Sequence, residues 1–98
     1  MEKVRPTYDL NTFKAAAAGV AVTVTAATDA RRMGFSRAGI TAVIQCMERS
    51  HFYKSMTSYG NHKEWQDVYH VPHEDMVIYV KFVVDIVAEF KLLSFKER

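Results

Sequence analysis

The residues able to do chemistry gather in two stretches, His51 to Tyr69 (HFYKSMTSYGNHKEWQDVY) and Met76 to Val84 (MVIYVKFVV). The first holds two lysines, Lys54 and Lys63, with Lys54 inside the first strand run, several hydroxyls, an aromatic cluster and the amide–carboxylate neighbours Gln66 and Asp67. Strand alternation puts Phe52, Lys54, Met56 and Ser58 on one face and Tyr53, Ser55, Thr57 and Tyr59 on the other. A lysine on a mostly apolar face loses hydration, which lowers its pKa towards a range useful for proton transfer. The plain alternative is a stem that carries its head out to water. In the second stretch Ile78, Val80, Phe82 and Val84 are apolar and should meet the body of the protein, so Tyr79 and Lys81 point the other way, into a cleft or solvent.

Each of these groups has a chemical and a bland reading. Tyr79 could donate a proton or hold a phosphate oxygen, or it could pack in the sheet with a wet hydroxyl. Lys81 is suited to a phosphate contact. Gln66 could orient a phosphate or read a base edge, although exposed glutamines on strands are common. Tyr53, Tyr59, Trp65 and Tyr69 could stack unpaired bases as single-stranded RNA readers do, yet alternating aromatics also build ordinary sheets. Ser55, Thr57 and Ser58 could hydrogen-bond an RNA backbone with little specificity. The histidines, His51, His62, His70 and His73, are not spaced as a pair on a helical face. With a single cysteine, Cys46, and neither HExxH nor CxxC, no metal site and no cofactor are expected. A two-histidine ribonuclease mechanism is chemically conceivable near neutral pH, but nothing in the spacing supports it.

These groups need a frame. Ninety-eight residues make one domain, 1–98, able to bury roughly 60–65 % of its unfolded surface. One cysteine permits no internal disulfide and fits a reducing cytoplasm. The net charge of +2 and pI of about 8.8 do not announce a nucleic-acid binder. Residues 1–50 hold seven Lys/Arg against four acids, and 51–98 hold six against seven. Any RNA affinity must come from where the lysines sit. The run Ala15–Ala27 (AAAAGVAVTVTAA) follows a basic start, as a signal peptide does. Against secretion, Glu2 and Asp9 precede it and it lacks Leu, Ile and Phe. It is also shorter than the roughly 20 apolar residues of a membrane span.

Along the chain, Thr7–Ala18 reads as a helix with an apolar stripe of Leu10, Phe13 and Ala17, stopped by Gly19. Val20–Thr25 is β-branched and alternating, a strand. Thr28 is positioned to cap a brief helix through Met33 that ends at Gly34. Ser36 should cap a longer one to about Arg49, with Ile40, Val43, Ile44 and Met47 on one face. Two strands then turn at Tyr59-Gly60-Asn61-His62, where Gly and Asn would supply positive φ. Val71–Asp75 reads as a loop because Pro72 lacks a donor. Met76–Val84 and Phe90–Lys96 complete the set, with Asp85–Glu89 open between turn and strand. The expected class is α+β: an antiparallel β-sheet with the N-terminal helices packed on one face.

The blocks FYKSMTSY and WQDVY, with SFKER closing the chain, resemble the motility quorum-sensing regulator (MqsR) family of bacterial toxins. The resemblance runs nearly end to end, from the opening MEK to the terminal SFKE, and is specific in the FYKSMT and WQDVY blocks. It implies a RelE-like fold and an mRNA interferase: an endoribonuclease that cuts single-stranded mRNA by 2′-hydroxyl attack, without a metal, at short GC-containing sites. It also implies a cognate, MqsA-like antitoxin whose DNA-binding half represses the operon. The family's catalytic roles fall here on Lys54, Gln66, Tyr79 and Lys96, all four types being kept; Lys96 would be uninformative without the resemblance. Lys81, Tyr53, Tyr59 and Trp65 stand beside them as RNA-binding candidates. A cytoplasmic location follows. The competing reading is a non-catalytic module that binds RNA or protein through the same sheet.

Overall fold

In a computed structural model of residues 1–98 the chain starts with a short strand, β1 (Glu2–Lys3). Helix α1 (Leu10–Ala15), a 3₁₀ turn (Ala17–Gly19) and strand β2 (Ala21–Val22) follow. Helices α2 (Val24–Arg32) and α3 (Arg37–Gln45) then lead into four strands: β3 (Phe52–Ser58), β4 (Asn61–His73), β5 (Met76–Asp85) and β6 (Glu89–Glu97). The sheet order is β1-β3-β4-β5-β6-β2. The α+β class with helices first holds, but the sheet is mixed rather than purely antiparallel. β2 runs parallel to β6, pairing Ala21 with Lys91 and Val22 with Leu92, and so covers an otherwise open edge.

Side-chain caps explain where the helices begin. Asp9 accepts from the Thr12 N–H and starts α1 at Leu10, later than the Thr7 expected from sequence. The N–H groups of Thr7 and Tyr8 are instead spent on the buried Asp67 carboxylate, at 3.0 and 2.9 Å. The strand expected over Val20–Thr25 shrinks to two residues because Thr23 accepts from the Ala26 N–H and opens α2. Thr28 therefore lies inside that helix and caps nothing. Gly34, at φ 90, ends the helix as expected, in the left-handed region that favours glycine. Ser36 caps α3 as expected, but the helix stops at Gln45. Arg49 lies beyond it in a 3₁₀ turn, its guanidinium 4.9 Å from the Phe52 ring.

The helices bury one sheet face. Phe13, Ala17, Ala26, Ala30, Ile40, Val43, Ile44 and Met47 meet Tyr69, Val71, Ile78, Val80, Phe82, Leu92 and Phe95. Phe13 stacks flat on Phe82 with centroids 3.6 Å apart. Within the alanine run Ala17 and Ala26 are fully buried, so its small side chains serve close packing. No helix is long and apolar enough to cross a membrane.

Three further expectations change. β4 runs through Val71–His73, read above as loop, and Pro72 pairs with Val77. β3 begins at Phe52, opposite Tyr69, so beyond Tyr69 that side of β4 is an open edge where a proline is tolerated. The β3–β4 turn is at Tyr59-Gly60, and neither Gly60 nor Asn61 has a positive φ. The positive values fall instead on Glu74 (55) and Glu89 (68), at the other two hairpins. Asp85–Glu89 resolves as a turn whose Asp85 carboxylate accepts from the Val87 and Ala88 N–H groups. Val84, expected against the helices, is 57% exposed, while Val83 is buried.

Candidate active site

The sheet face away from the helices is built in rows, each row one residue per strand. In the first, His70 of β4 pairs with Tyr79 of β5, and Tyr79 with Lys96 of β6. In the second, Lys54 of β3 pairs with Val68, Val68 with Lys81, and Lys81 with Ser94. In the third, Met56 pairs with Gln66. Lys54, Gln66, Tyr79, Lys81 and Lys96 thus share one face, as the sequence pattern anticipated for Tyr79 and Lys81. Val68 is fully buried in the floor of this face, outside the helix-side core.

A β-bulge corrects the sequence reading of Tyr53. The register shifts between Phe52, opposite Tyr69, and Lys54, opposite Val68, so Tyr53 is the extra residue. It was expected across the strand from Lys54. Instead its ring stacks on His70 at 4.2 Å and 22°, and Lys54 Nζ lies 5.4 Å from its centroid. The same bulge frees Phe52 to pack on Tyr69 at 5.3 Å on the helix side.

Electrostatics distinguish the three lysines. Lys54 Nζ donates to Glu2 Oε2 at 2.6 Å. That hydrogen bond holds the ammonium above the ordinary lysine value and Glu2 below the ordinary carboxylate value. Desolvation was expected to lower Lys54; the β1 carboxylate overrides it. Burial, with help from Lys96, lowers Lys81 instead. Lys96 Nζ sits 5.4 Å from the Tyr79 ring. Burial is the main cause that raises the Tyr79 hydroxyl above its usual value, so it is protonated at neutral pH and can donate.

Trp65 and Tyr69 do not join this cluster, and Tyr59 reaches only its rim. Tyr59 is at the hairpin tip, fully exposed, on the rim of a groove of about 820 Å³ that Gln66, Lys81, Met56 and His62 also line. Trp65 shares a face with Asp67 on the helix side, its ring under Lys3 Nζ at 4.1 Å. It cannot stack a base held by Lys54 and Tyr79 without reaching across the sheet. Tyr69 is fully buried. Ser55 is likewise internal, its hydroxyl 2.7 Å from that of Thr7. WQDVY is therefore split by alternation: Gln66 and Val68 go to the open face, while Trp65, Asp67 and Tyr69 anchor the N-terminal segment and core.

Sequence reasoning missed His70. Burial, then Arg98 and Lys54, hold its imidazole below the ordinary histidine value. It was judged by spacing to other histidines, whereas the informative signal was its parity with Gln66 and Val68 and its place opposite Tyr79. No three His, Cys, Asp or Glu side chains converge to hold a metal ion. A second cavity, about 590 Å³, lies on the helix side and is lined by Lys14, Arg49, Asp9, Glu48 and Tyr69, among others.

The molecule is thus a small α+β protein that presents two tyrosines, a histidine and three lysines on one open sheet face. The family whose description is "Motility quorum-sensing regulator, toxin of MqsA" matches residues 5–97. The chain is 35% identical over 100 residues to the mRNA interferase toxin MqsR of Escherichia coli K12, covering 100% of both chains. It belongs to the MqsR toxin family.

Proposed function

We propose that this protein is the toxin of a toxin–antitoxin pair and an endoribonuclease that cleaves single-stranded mRNA, so arresting translation and growth. The observation that carries this reading is the convergence of Lys54, Gln66, Tyr79 and Lys96 on one face, in a chain of this family. The relative's name, an mRNA interferase toxin, states the same activity for that protein.

The chemistry is an in-line transfer at phosphorus. The ribose 2′-oxygen forms a bond to the adjacent phosphorus, the bond from phosphorus to the 5′-oxygen breaks, and a 2′,3′-cyclic phosphate remains. Lys54, kept charged by Glu2, and Lys96 offset charge that develops on the phosphate oxygens. Tyr79 gives its proton to the departing 5′-oxygen, an alkoxide far more basic than a phenolate. Gln66 positions the phosphate or an adjoining base edge. Lys81 holds a neighbouring phosphate, and Tyr53 and Tyr59 offer stacking surfaces for unpaired bases. No residue's role calls for a metal ion, and the target is a short GC-containing sequence. The partner is an MqsA-like, DNA-binding antitoxin; the toxin alone has no DNA-binding role, no membrane role, and works in the cytoplasm.

Primer-extension mapping of a defined mRNA incubated with the purified protein in EDTA tests this, with Lys54→Ala alongside. Discrete cuts at one short sequence, absent with the variant, are expected. An intact message after incubation with well-folded protein would leave the face as a binding surface only.

A further inference from the structure

The proposed reaction needs a group that takes the 2′-hydroxyl proton, and none of the four matched residues is suited to it. Lys54 is bound to Glu2 and stays charged. Tyr79 is protonated and donates. Gln66 cannot carry a proton. Lys96 serves as a cation beside Tyr79, its Nζ 5.4 Å from that ring. Lys81, outside the four, is lowered by burial, but a lysine starts some three to four units above neutrality.

The four histidines differ in what occupies them. His51 Nδ1 accepts from the Glu48 N–H and closes a capping box. His73 packs edge-on against Phe35 at 5.2 Å. His62 sits in the exposed β3–β4 hairpin. His70 alone lies in the row of Tyr79 and Lys96, its ring stacked on Tyr53 at 4.2 Å and 5.8 Å from that of Tyr79. Its ring makes no hydrogen bond within the protein that would occupy either nitrogen. The groups facing it are Tyr53 and Lys54 from β3, Tyr79 from β5, Lys96 beyond Tyr79 on β6, and Arg98 after β6.

Resting on the endoribonuclease reading above, we propose that His70 is the general base of this enzyme, taking the 2′-hydroxyl proton while Tyr79 supplies one to the 5′-oxygen. The balance closes: one proton arrives on the imidazole, one leaves the phenol, and the 2′-oxygen–phosphorus bond replaces the phosphorus–5′-oxygen bond. The resulting imidazolium and phenolate are neighbours in the same row, so each charge stabilises the other, with Lys96 adding to the phenolate side. Exchange with solvent resets both. Tyr53 stacks on the imidazole, and burial, helped by Arg98 and Lys54, holds the ring below the ordinary histidine value and so favours its neutral, proton-accepting form.

The test is the pH dependence of kcat/KM for a short RNA, wild type against His70→Gln, from about pH 5 to about pH 9, a range that spans histidine titration. Wild type should lose activity in acid, with an apparent pKa below the ordinary histidine value, because kcat/KM reports the free enzyme. His70→Gln should be slower by about 10²–10⁴ at neutral pH and should lose the acidic limb. An NMR titration of the wild-type imidazole, independent of any variant's folding, must give His70 the kinetic pKa. A variant that keeps the acidic limb, or a His70 titration that departs from the kinetic value, overturns the assignment. If wild type itself cuts no RNA, the endoribonuclease reading fails, a result separate from either of these.

Discussion

Tyr69 and Tyr79 occupy opposite faces of the same sheet, and their surroundings contrast the two halves of the molecule. Tyr69 is sealed beneath the helices, its hydroxyl buried without a hydrogen-bond partner and its pKa pushed up to about 12, chiefly by burial. Tyr79 is half-buried, flanked by His70 and Lys96, with its hydroxyl among cations. One ring supplies apolar bulk to the core and leaves its polar atom idle. The other supplies a polar atom and leaves the core to its neighbours. The helix side holds the chain folded; the open side is free to be charged because Val68 and Val83 beneath it are already dry.

Substitutions on each face should separate stability from activity. The largest effect is expected for Phe82→Ala, which removes the ring stacked on Phe13 at 3.6 Å. It should cost about 3–5 kcal/mol, read as a fall in the denaturation midpoint, with activity lost only as the fold is lost. Tyr79→Phe should do the reverse: the cleavage rate drops by about 10²–10³ while thermal denaturation stays where it was. A parallel fall in both would erase the distinction between the faces.

Asp67→Asn tests a polar group on the core side. The Asp67 carboxylate takes the Thr7 and Tyr8 N–H groups, and asparagine can accept with one oxygen only. A loss of about 1–3 kcal/mol by urea denaturation is expected, with the kcat of the remaining folded enzyme unchanged. Tyr69→Phe should be the smallest change and of opposite sign. Deleting an unpartnered buried hydroxyl should stabilise by up to about 1 kcal/mol, seen as a raised midpoint with wild-type cleavage. A destabilised Tyr69→Phe would mean the hydroxyl has a partner after all.

The core side was the more legible in the sequence. Periodicity gave Ile40, Val43, Ile44 and Met47 on α3 and Ile78, Val80 and Phe82 on β5, because burial repeats at the period of the element. Competing local contacts moved the boundaries. Thr23 won the α2 cap from Thr28, and Asp67 drew Thr7 and Tyr8 out of α1 through contacts some sixty residues away in sequence. On the open face, alternation placed Tyr79 and Lys81 correctly but misplaced Tyr53, since a bulge leaves no mark in a period-two pattern. The Lys54–Glu2 bond and the stacking of His70 were invisible for a similar reason. Both join residues through strand order, and nothing local to either residue announces it.

The most direct measurement of the account is NMR mapping of an RNA oligonucleotide whose scissile ribose carries 2′-deoxy, so that it binds without being cut. Titration into labelled protein should shift signals of Lys54, Gln66, His70, Tyr79 and Lys96 together, leaving α1–α3 undisturbed. Shifts confined to the helix-side cavity around Lys14 and Arg49 would contradict it and move the RNA to the other face.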